Sequence, residues 1–358
     1  MLSELHPDQP TSLSNAATPA TPAGWYIACR SFELKRSPLG LRIAAHSLVF
    51  FRDEQGQPAA LDDRCAHRNA PLSAGKVCDG RLRCAYHGWE YTAQGELARI
   101  PALPTTAVVA HVRVAHYVVE EKQGFVWVWL PNAIQPAPRA GAPLFPHYKE
   151  PGWTSFVMHT RFEGGVEACL ENFLDCPHAT FVHRYWFRSP TAKPVKCVVR
   201  TLADGVEAEY FEEPREKSLV WWALAPARGN MRHTDRFIAP NTSQVDYAFP
   251  GGLHYTITSS CTPIHSNATQ VTTVISFRYK KIGFVVRLFF EPLSRLIIRQ
   301  DVKMLRLQAQ NIQRFGKAEF CSTPADLLGP HIVAWRHALS RGEPVPQEAK
   351  ERDVEIFL

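Results

Sequence analysis

The sequence predicts an α+β chain of two domains, an all-β domain followed by an antiparallel sheet with helices, and three observations carry that expectation. Strand-like apolar runs dominate the first third of the 358 residues. A proline-rich stretch, PNAIQPAPRAGAP at 131–143, then interrupts the pattern. Beyond it, short strand candidates give way to long helical periodicity, and an antiparallel sheet covered by helices is the natural packing of that order. The length suits roughly two domains.

Taken in order, residues 1–24 are rich in Ser, Thr, Ala and Pro and have neither a basic region nor an apolar core. That composition predicts a disordered tail rather than a signal or transit peptide. The first domain is expected over 25–130, from the strand runs at 25–28, 48–51 and 125–130. After the linker at 131–143, the second domain is expected over 144–358. It opens on a helix-like segment near 166–182 and continues with strand candidates at 196–201, 206–211, 219–224, 244–249, 254–261 and 270–277. Helical patterns at about 284–315 and 325–341 close it.

With 45% hydrophobic and 21% charged residues, the composition is that of a globular protein. The cysteines, at 29, 65, 78, 84, 169, 176, 197, 261 and 321, lack the dense spacing of a secreted disulfide scaffold, so a reducing, cytoplasmic setting is expected. A net charge of +6 without a polybasic block argues against nucleic acid and fits docking of an acidic electron-transfer partner.

The chemistry starts from two pairs, Cys65-Ala66-His67 and Cys84-Ala85-Tyr86-His87. A zinc site wants two to four residues between paired ligands, and the one residue between Cys65 and His67 is too few. A Rieske [2Fe-2S] cluster instead takes one Cys and one His from each of two loops, two thiolates on one iron and two imidazoles on the other. Cys65 and Cys84 would hold the first iron, His67 and His87 the second.

The flanking residues, CAHRNAPLSAG and CAYHGW, resemble the Rieske domains of non-haem iron ring-hydroxylating oxygenases, whose usual pattern is C-P-H-R-G-x-x-L and C-P-Y-H-G-W. Ala66 and Ala85 stand where proline is usual, and Asn69 where glycine is usual. Asn is among the few residues that enter a left-handed backbone cheaply. Ala70 and Tyr86 occupy the neighbourhood where respiratory Rieske proteins carry an extra disulfide, which points to the low-potential oxygenase or ferredoxin type.

A freestanding Rieske ferredoxin needs only about a hundred residues, so the remainder must use the electron. The segment Glu171-Asn172-Phe173-Leu174-Asp175-Cys176-Pro177-His178-Ala179-Thr180-Phe181-Val182-His183 offers a second constellation. Asp175 and His178 are expected to share a helix face, whereas His183 lies about 140° further round, so the helix must end or bend before both imidazoles can reach one metal. Two imidazoles and a carboxylate make the facial triad of non-haem Fe(II) oxygenases, open toward dioxygen and substrate. Asp301 is the expected third ligand: it interrupts a helix face formed by Ile297, Ile298, Met304 and Leu305, and metal binding is one accepted remedy for a buried carboxylate. Glu291 makes the contrast, since Arg287 and Arg295 flank it at i−4 and i+4. The run from Gln300 through Asp301 to Leu305, followed by Gln308, also resembles the family's D-x-x-[IM]-L-x-x-Q segment.

The resemblance to Rieske non-haem iron oxygenases covers about 25–339, and is greatest to the group with only an α-type subunit, which includes pheophorbide a oxygenase, cholesterol desaturases and aromatic O-demethylases. It implies a helix-grip catalytic domain, a [2Fe-2S] cluster, a mononuclear Fe(II), and a homotrimer in which one subunit's cluster faces the next subunit's iron. It further implies that Asp175 accepts hydrogen bonds from His87 across that interface and from His178 in its own chain, and so bridges the electron; Asn172 and Asp175 are its catalytic residues.

No NAD(P)H-binding motif is present, so a separate reductase or ferredoxin is expected. The expected reaction is monooxygenation of a hydrophobic ring-containing substrate, leading to demethylation or desaturation. The rivals are cis-dihydroxylation of an arene and an electron-transfer or redox-sensing protein without oxygenase activity. Phe211, Trp221, Trp222, Phe249 and Tyr255 are pocket candidates, with plain core as the competing assignment. The basic and apolar segment 280–299 suits peripheral contact with a membrane, with an ordinary core helix as its competitor.

Overall fold

The computed structural model describes residues 21–104, 111–184, 193–211, 231–249, 251–279, 282–346 and 351–358. The first domain is built from β1 (Gly24–Arg30), β2 (Leu39–Ile43), β3 (His46–Arg52), β4 (Pro58–Asp62), β5 (Lys76–Cys78), β6 (Arg81–Arg83), β7 (Glu90–Tyr91), β8 (Leu97–Arg99), β9 (His116–Tyr117), β10 (Val119–Lys122) and β11 (Phe125–Leu130). These form three small sheets, β1-β11-β10, β2-β3-β4-β9 and β5-β6-β7-β8. All of β11 is buried because it has two dry faces. Val126, Val128 and Leu130 enter the domain's own core with Tyr26 and Phe50, while Phe125, Trp127 and Trp129 pack with Phe145 and Val274 of the second domain.

The second domain comprises β12 (Thr154–Phe162), α1 (Val166–Leu174), α2 (His178–Val182), β13 (Pro194–Leu202), β14 (Gly205–Phe211), β15 (Arg232–Ile238), β16 (Thr242–Ala248), β17 (His254–His265), β18 (Ala268–Arg278), α3 (Gly283–Phe315), α4 (Gly329–Arg341) and β19 (Arg352–Phe357). Its strands make one antiparallel eight-stranded sheet in the order β12-β18-β17-β16-β15-β14-β13-β19. Three of these strands escaped the sequence reading. In β15 the inward residues are His233, Asp235 and Phe237, so two of the three positions that should look apolar are polar. In β19, at the sheet edge, Ile356 alone is buried, and β12 mixes His159 and Arg161 into its run. The candidate at 219–224, with Trp221 and Trp222, lies outside the described residues.

The domains are stitched by side chains on main-chain carbonyls: Asn241 Nδ2 donates to Trp25 O at 3.1 Å and Thr262 Oγ1 to Ile27 O at 3.0 Å. The 131–143 stretch is tied down along its length, with Asn132 Nδ2 on Leu339 O at 3.1 Å, Ala140 O accepting from Trp25 Nε1 at 2.9 Å, and Ala142 N on Glu120 Oε2 at 2.9 Å. All nine cysteines lie among the described residues, and none is in a disulfide. Among the described residues, no helix is long and apolar enough to cross a membrane.

Candidate metal centres and active-site cavity

Two loops of the first domain are near copies of each other. In one, Cys65 N donates to Ala70 O at 2.8 Å and Asn69 N to Cys65 O at 2.9 Å; in the other, Cys84 N donates to Trp89 O at 2.8 Å and Gly88 N to Cys84 O at 3.1 Å. Each loop therefore closes four and five residues after its cysteine. The closing residue is left-handed in both, Asn69 at φ 59° and Gly88 at φ 71°, so Asn69 does the work glycine does in its twin.

These loops bury Cys65 and Cys84 and leave His87 exposed. The rings of His67 and His87 stand 4.5 Å apart, and His67 stacks on Trp89 at 4.5 Å. Burial pushes the Cys84 thiol up, and neighbouring Cys65 adds to the rise, while the Tyr86 and His87 amides oppose it. Tyr91 Oη lies 3.2 Å from Cys65 Sγ and accepts from Ala66 N. Among the described residues, buried His67 Nδ1 has no hydrogen-bond partner. Paired buried thiols and an orphaned imidazole nitrogen suit a two-Cys, two-His cluster.

The second constellation forms where α1 stops. Pro177 cannot continue α1 and disfavours the helical conformation at Cys176, so α1 ends at Leu174, Asp175 turns extended, and α2 begins at His178. Asp175 and His178 thus occupy no common helix face, which corrects the expectation that they would. His183 leaves the helix as the C-cap of α2, and that departure lets both imidazoles face one point. Asp301, on the buried face of α3 with Ile297 and Leu305, completes the set. Its Oδ1 is 3.0 Å from His183 Nε2 and 3.7 Å from His178 Nε2, and the two Nε2 atoms are 3.4 Å apart.

The outward nitrogens are also occupied. His183 Nδ1 meets Gln300 Oε1 at 2.8 Å, and His178 Nδ1 bonds the main-chain carbonyl of Asp175. The Asp175 carboxylate itself stands off, with Oδ2 3.9 Å from His178 Nδ1, so the contact expected of its side chain is made by its backbone. Burial pushes His183 down, but Asp301 and Gln300 outweigh it and hold the imidazole above its ordinary value. Burial also lifts the Asp175 carboxyl, against the pull of His178. Glu291 pairs with Arg287 at 3.0 Å and Arg295 at 2.7 Å, as its sequence neighbours predict.

A cavity of about 150 Å³ opens beside this triad. Cross-strand rows of the sheet floor it: Ser243, Ser259 and Thr273 in one row, Val245, Ile257 and Ile275 in the next, then Tyr247 and Tyr255. Ile297, Ile298 and Ser294 of α3 form the opposite wall. Of the aromatic candidates, Tyr255 lines the cavity, Phe249 packs with Met231, and Phe211 is partly exposed away from it. An outer cleft of about 640 Å³ runs past Leu307, Gln308 and Asn311, and Asn172, Asp175 and His178 border both spaces.

The sequence reading missed a buried polar end wall. Tyr210 Oη donates to Asp235 Oδ2 at 2.9 Å, His233 Nε2 lies 3.0 Å from Asp235 Oδ1, and Tyr210 and Tyr247 stack on His233 at 4.3 Å each. Cys176 adjoins this group, its ligand atom within 4.8 Å of those of His233 and Asp235. Gln300 and Tyr91 were missed too. A glutamine beside Asp301 was the available signal for the first, whereas the Tyr91 contact depends on strand pairing that spacing does not reveal.

Comparison with known proteins matches a different family in each part of the chain. Residues 24–117 match the Rieske [2Fe-2S] domain family and 162–341 the vanillate O-demethylase oxygenase C-terminal domain family. The chain is similar to chlorophyllide a oxygenase of Chlamydomonas reinhardtii, 36% identical over 88% of this chain and 48% of that protein. It is 24% identical to the Arabidopsis thaliana chlorophyllide a oxygenase, over 89% and 58% respectively. The chain therefore spans about half the length of these curated relatives. A crystal structure of dicamba monooxygenase bound to dicamba shares the fold, with a TM-score of 0.71 and 21% identity over 89% of this chain and 97% of the other.

Proposed function

This chain belongs to the Rieske non-haem iron oxygenases, and we propose that it is an oxygenase component that oxidises a hydrophobic, ring-containing substrate by monooxygenation. The observation that carries the reading is the meeting of two imidazoles and one carboxylate at the edge of a largely apolar cavity. In this reading His178, His183 and Asp301 hold the mononuclear Fe(II), and Cys65, Cys84, His67 and His87 hold the [2Fe-2S] cluster. When bound, the iron supplies dioxygen binding and reduction, with the cluster as the source of a further electron.

The chain's own residues do the rest. The Asp175 carbonyl and Gln300 fix the ring orientations of His178 and His183, so that both Nε2 atoms stay turned inward. Ile257, Ile275 and Ile297 exclude water from the cavity and select an apolar substrate. The chlorophyllide and dicamba named for its relatives both contain rings, which supports a ring-bearing substrate here.

Asp175, at the boundary of cavity and outer cleft, is the residue we assign to pass electrons, with Asn172 beside it. The cleft offers room for the exposed Tyr86–His87 tip of another subunit, which supports the homotrimer. Electrons would come from NAD(P)H through a separate reductase or ferredoxin.

Incubating the holoprotein with a surrogate reductase, ¹⁸O₂ and indene tests the reading. One labelled oxygen in 1-indenol is expected. Two labels in cis-1,2-indanediol would establish arene dihydroxylation instead, and cluster oxidation without product, in protein lacking a third iron, would establish an electron carrier.

A further inference from the structure

Helix α3 has two unlike faces. Inward, Phe290, Ser294, Ile297 and Asp301 meet the sheet, the cavity and the histidine pair. Outward, its first turns expose Phe284 at 69%, Val285 at 52%, Leu288 at 58% and Phe289 at 75%, and Leu296 continues the strip at 45%. An uninterrupted strip of this kind on a surface helix marks a contact site. Cations accompany it: Arg295, Arg299 and Lys303 are exposed on the same helix, with Arg287 partly so. Asp301 is buried, so Glu291, shared between Arg287 and Arg295, is the one solvent-facing carboxylate of the 283–303 stretch.

We propose that the outward face of α3 docks on a bilayer surface containing anionic lipid. Apolar side chains among cations on one side of a helix suit the headgroup boundary, where the rings and aliphatic groups enter the acyl layer and the cations meet lipid charge. A second copy paired two-fold through this face is a poorer occupant, because the excess of positive charge would be set against itself, and the homotrimer proposed above uses the outer cleft instead. An interfacial position also suits the chemistry. The helix that would rest on the lipid forms the wall of the cavity, so a lipophilic substrate could pass from the acyl layer to the triad without crossing bulk water. This delivery role rests on the oxygenase reading, but the docking itself does not.

Vesicle co-flotation separates the two. The full-length holoprotein should float with vesicles of phosphatidylcholine containing phosphatidylglycerol, and much less with phosphatidylcholine alone. Raised salt should weaken the contact. Phe284→Asp with Phe289→Asp should lower partition about tenfold or more, and Arg299→Gln with Lys303→Gln should lower it severalfold on the anionic vesicles only. Iron content and the cluster spectrum should stay unchanged in both. If the aspartate pair loses the cluster spectrum, Phe289→Ser alone gives the same reading with less disturbance. Failure of the parent to float, or undiminished flotation of the variants, would overturn the proposal. So would a change of oligomeric mass without a change in flotation, which would make the face a protein contact. Absence of turnover by a parent protein that floats would count against the oxygenase reading and leave the docking standing.

Discussion

The first centre takes all four of its candidate ligands from residues 65–87, held in two self-closing loops, whereas the second gathers His178, His183 and Asp301 from two helices far apart in the chain. The loops need only their own hydrogen bonds and one left-handed residue each to present Cys and His. The second centre exists only once α3 has packed over the sheet. A local centre should therefore fail one ligand at a time with little effect elsewhere, and a centre assembled at a distance should respond to everything that positions its helices.

The largest effects test whether the centres are independent. Asp301→Ala should lose the mononuclear iron and all turnover while keeping the visible spectrum of a [2Fe-2S] cluster. Cys84→Ser should do the reverse, abolishing that spectrum with the mononuclear iron retained. Metal analysis beside absorption spectra reads both, and loss of both signals in either variant would end the claim of independence.

Asp175→Asn comes next, because it touches the link proposed between the centres rather than either one. The shape is kept and the charge removed, so both metals should remain while a prereduced cluster stays reduced in the presence of substrate and O₂ far longer than in the parent. Cluster oxidation at the parent rate, coupled to product, would show that electrons do not need this carboxylate.

Two subtler changes act on the outer contacts. Gln300→Leu removes the partner of His183 Nδ1 and should weaken iron binding by about 10–100-fold without altering the cluster. Titration of the metal-stripped variant with Fe(II) measures it, and parent affinity would make Gln300 a bystander. Tyr91→Phe takes away the hydroxyl beside Cys65 Sγ and should lower the cluster potential by roughly tens of millivolts with both metals in place. An unchanged potential would show that this contact does not tune the cluster.

The same contrast explains what the sequence made legible. Cys65, His67, Cys84 and His87 could be singled out as candidates from spacing because their loops are local. Asp301 could be singled out as a candidate because a carboxylate on the apolar face of a long helix is out of place. His233 and Asp235 could not. They face inward on β15, where the strand pattern expects apolar side chains, and their reason for being there, the stacked tyrosines and the Tyr210 hydroxyl, appears only when β14, β15 and β16 are paired. The break between α1 and α2 was announced by Pro177, yet spacing alone suggested one helix face for Asp175 and His178. The closing strand β19, with little to bury at the sheet edge, left almost no pattern to find.

The smallest predicted effect concerns the seam between the two domains. His159 on β12 meets the Arg30 guanidinium of β1 and the Phe125 ring of β11. Burial, with Arg30 beside it, pushes the imidazole down to about 4. The unfolded chain, where histidine keeps its ordinary value near 6.5, then binds a proton that the folded seam refuses. The stability from a neutral His159 is therefore complete above pH 6.5 and is lost as pH falls from there toward 4. His159→Gln can still face Arg30 with an acceptor but does not titrate, so its unfolding profile should be flatter between pH 7.5 and pH 5. Solvent reaches His159 and screens the charge, which holds the expected difference to roughly 1–3 °C in Tm at pH 5. Emission from Trp25, Trp127 and Trp129, buried at the seam, follows the opening. Parallel profiles for parent and variant would show that the seam does not sense the protonation of His159.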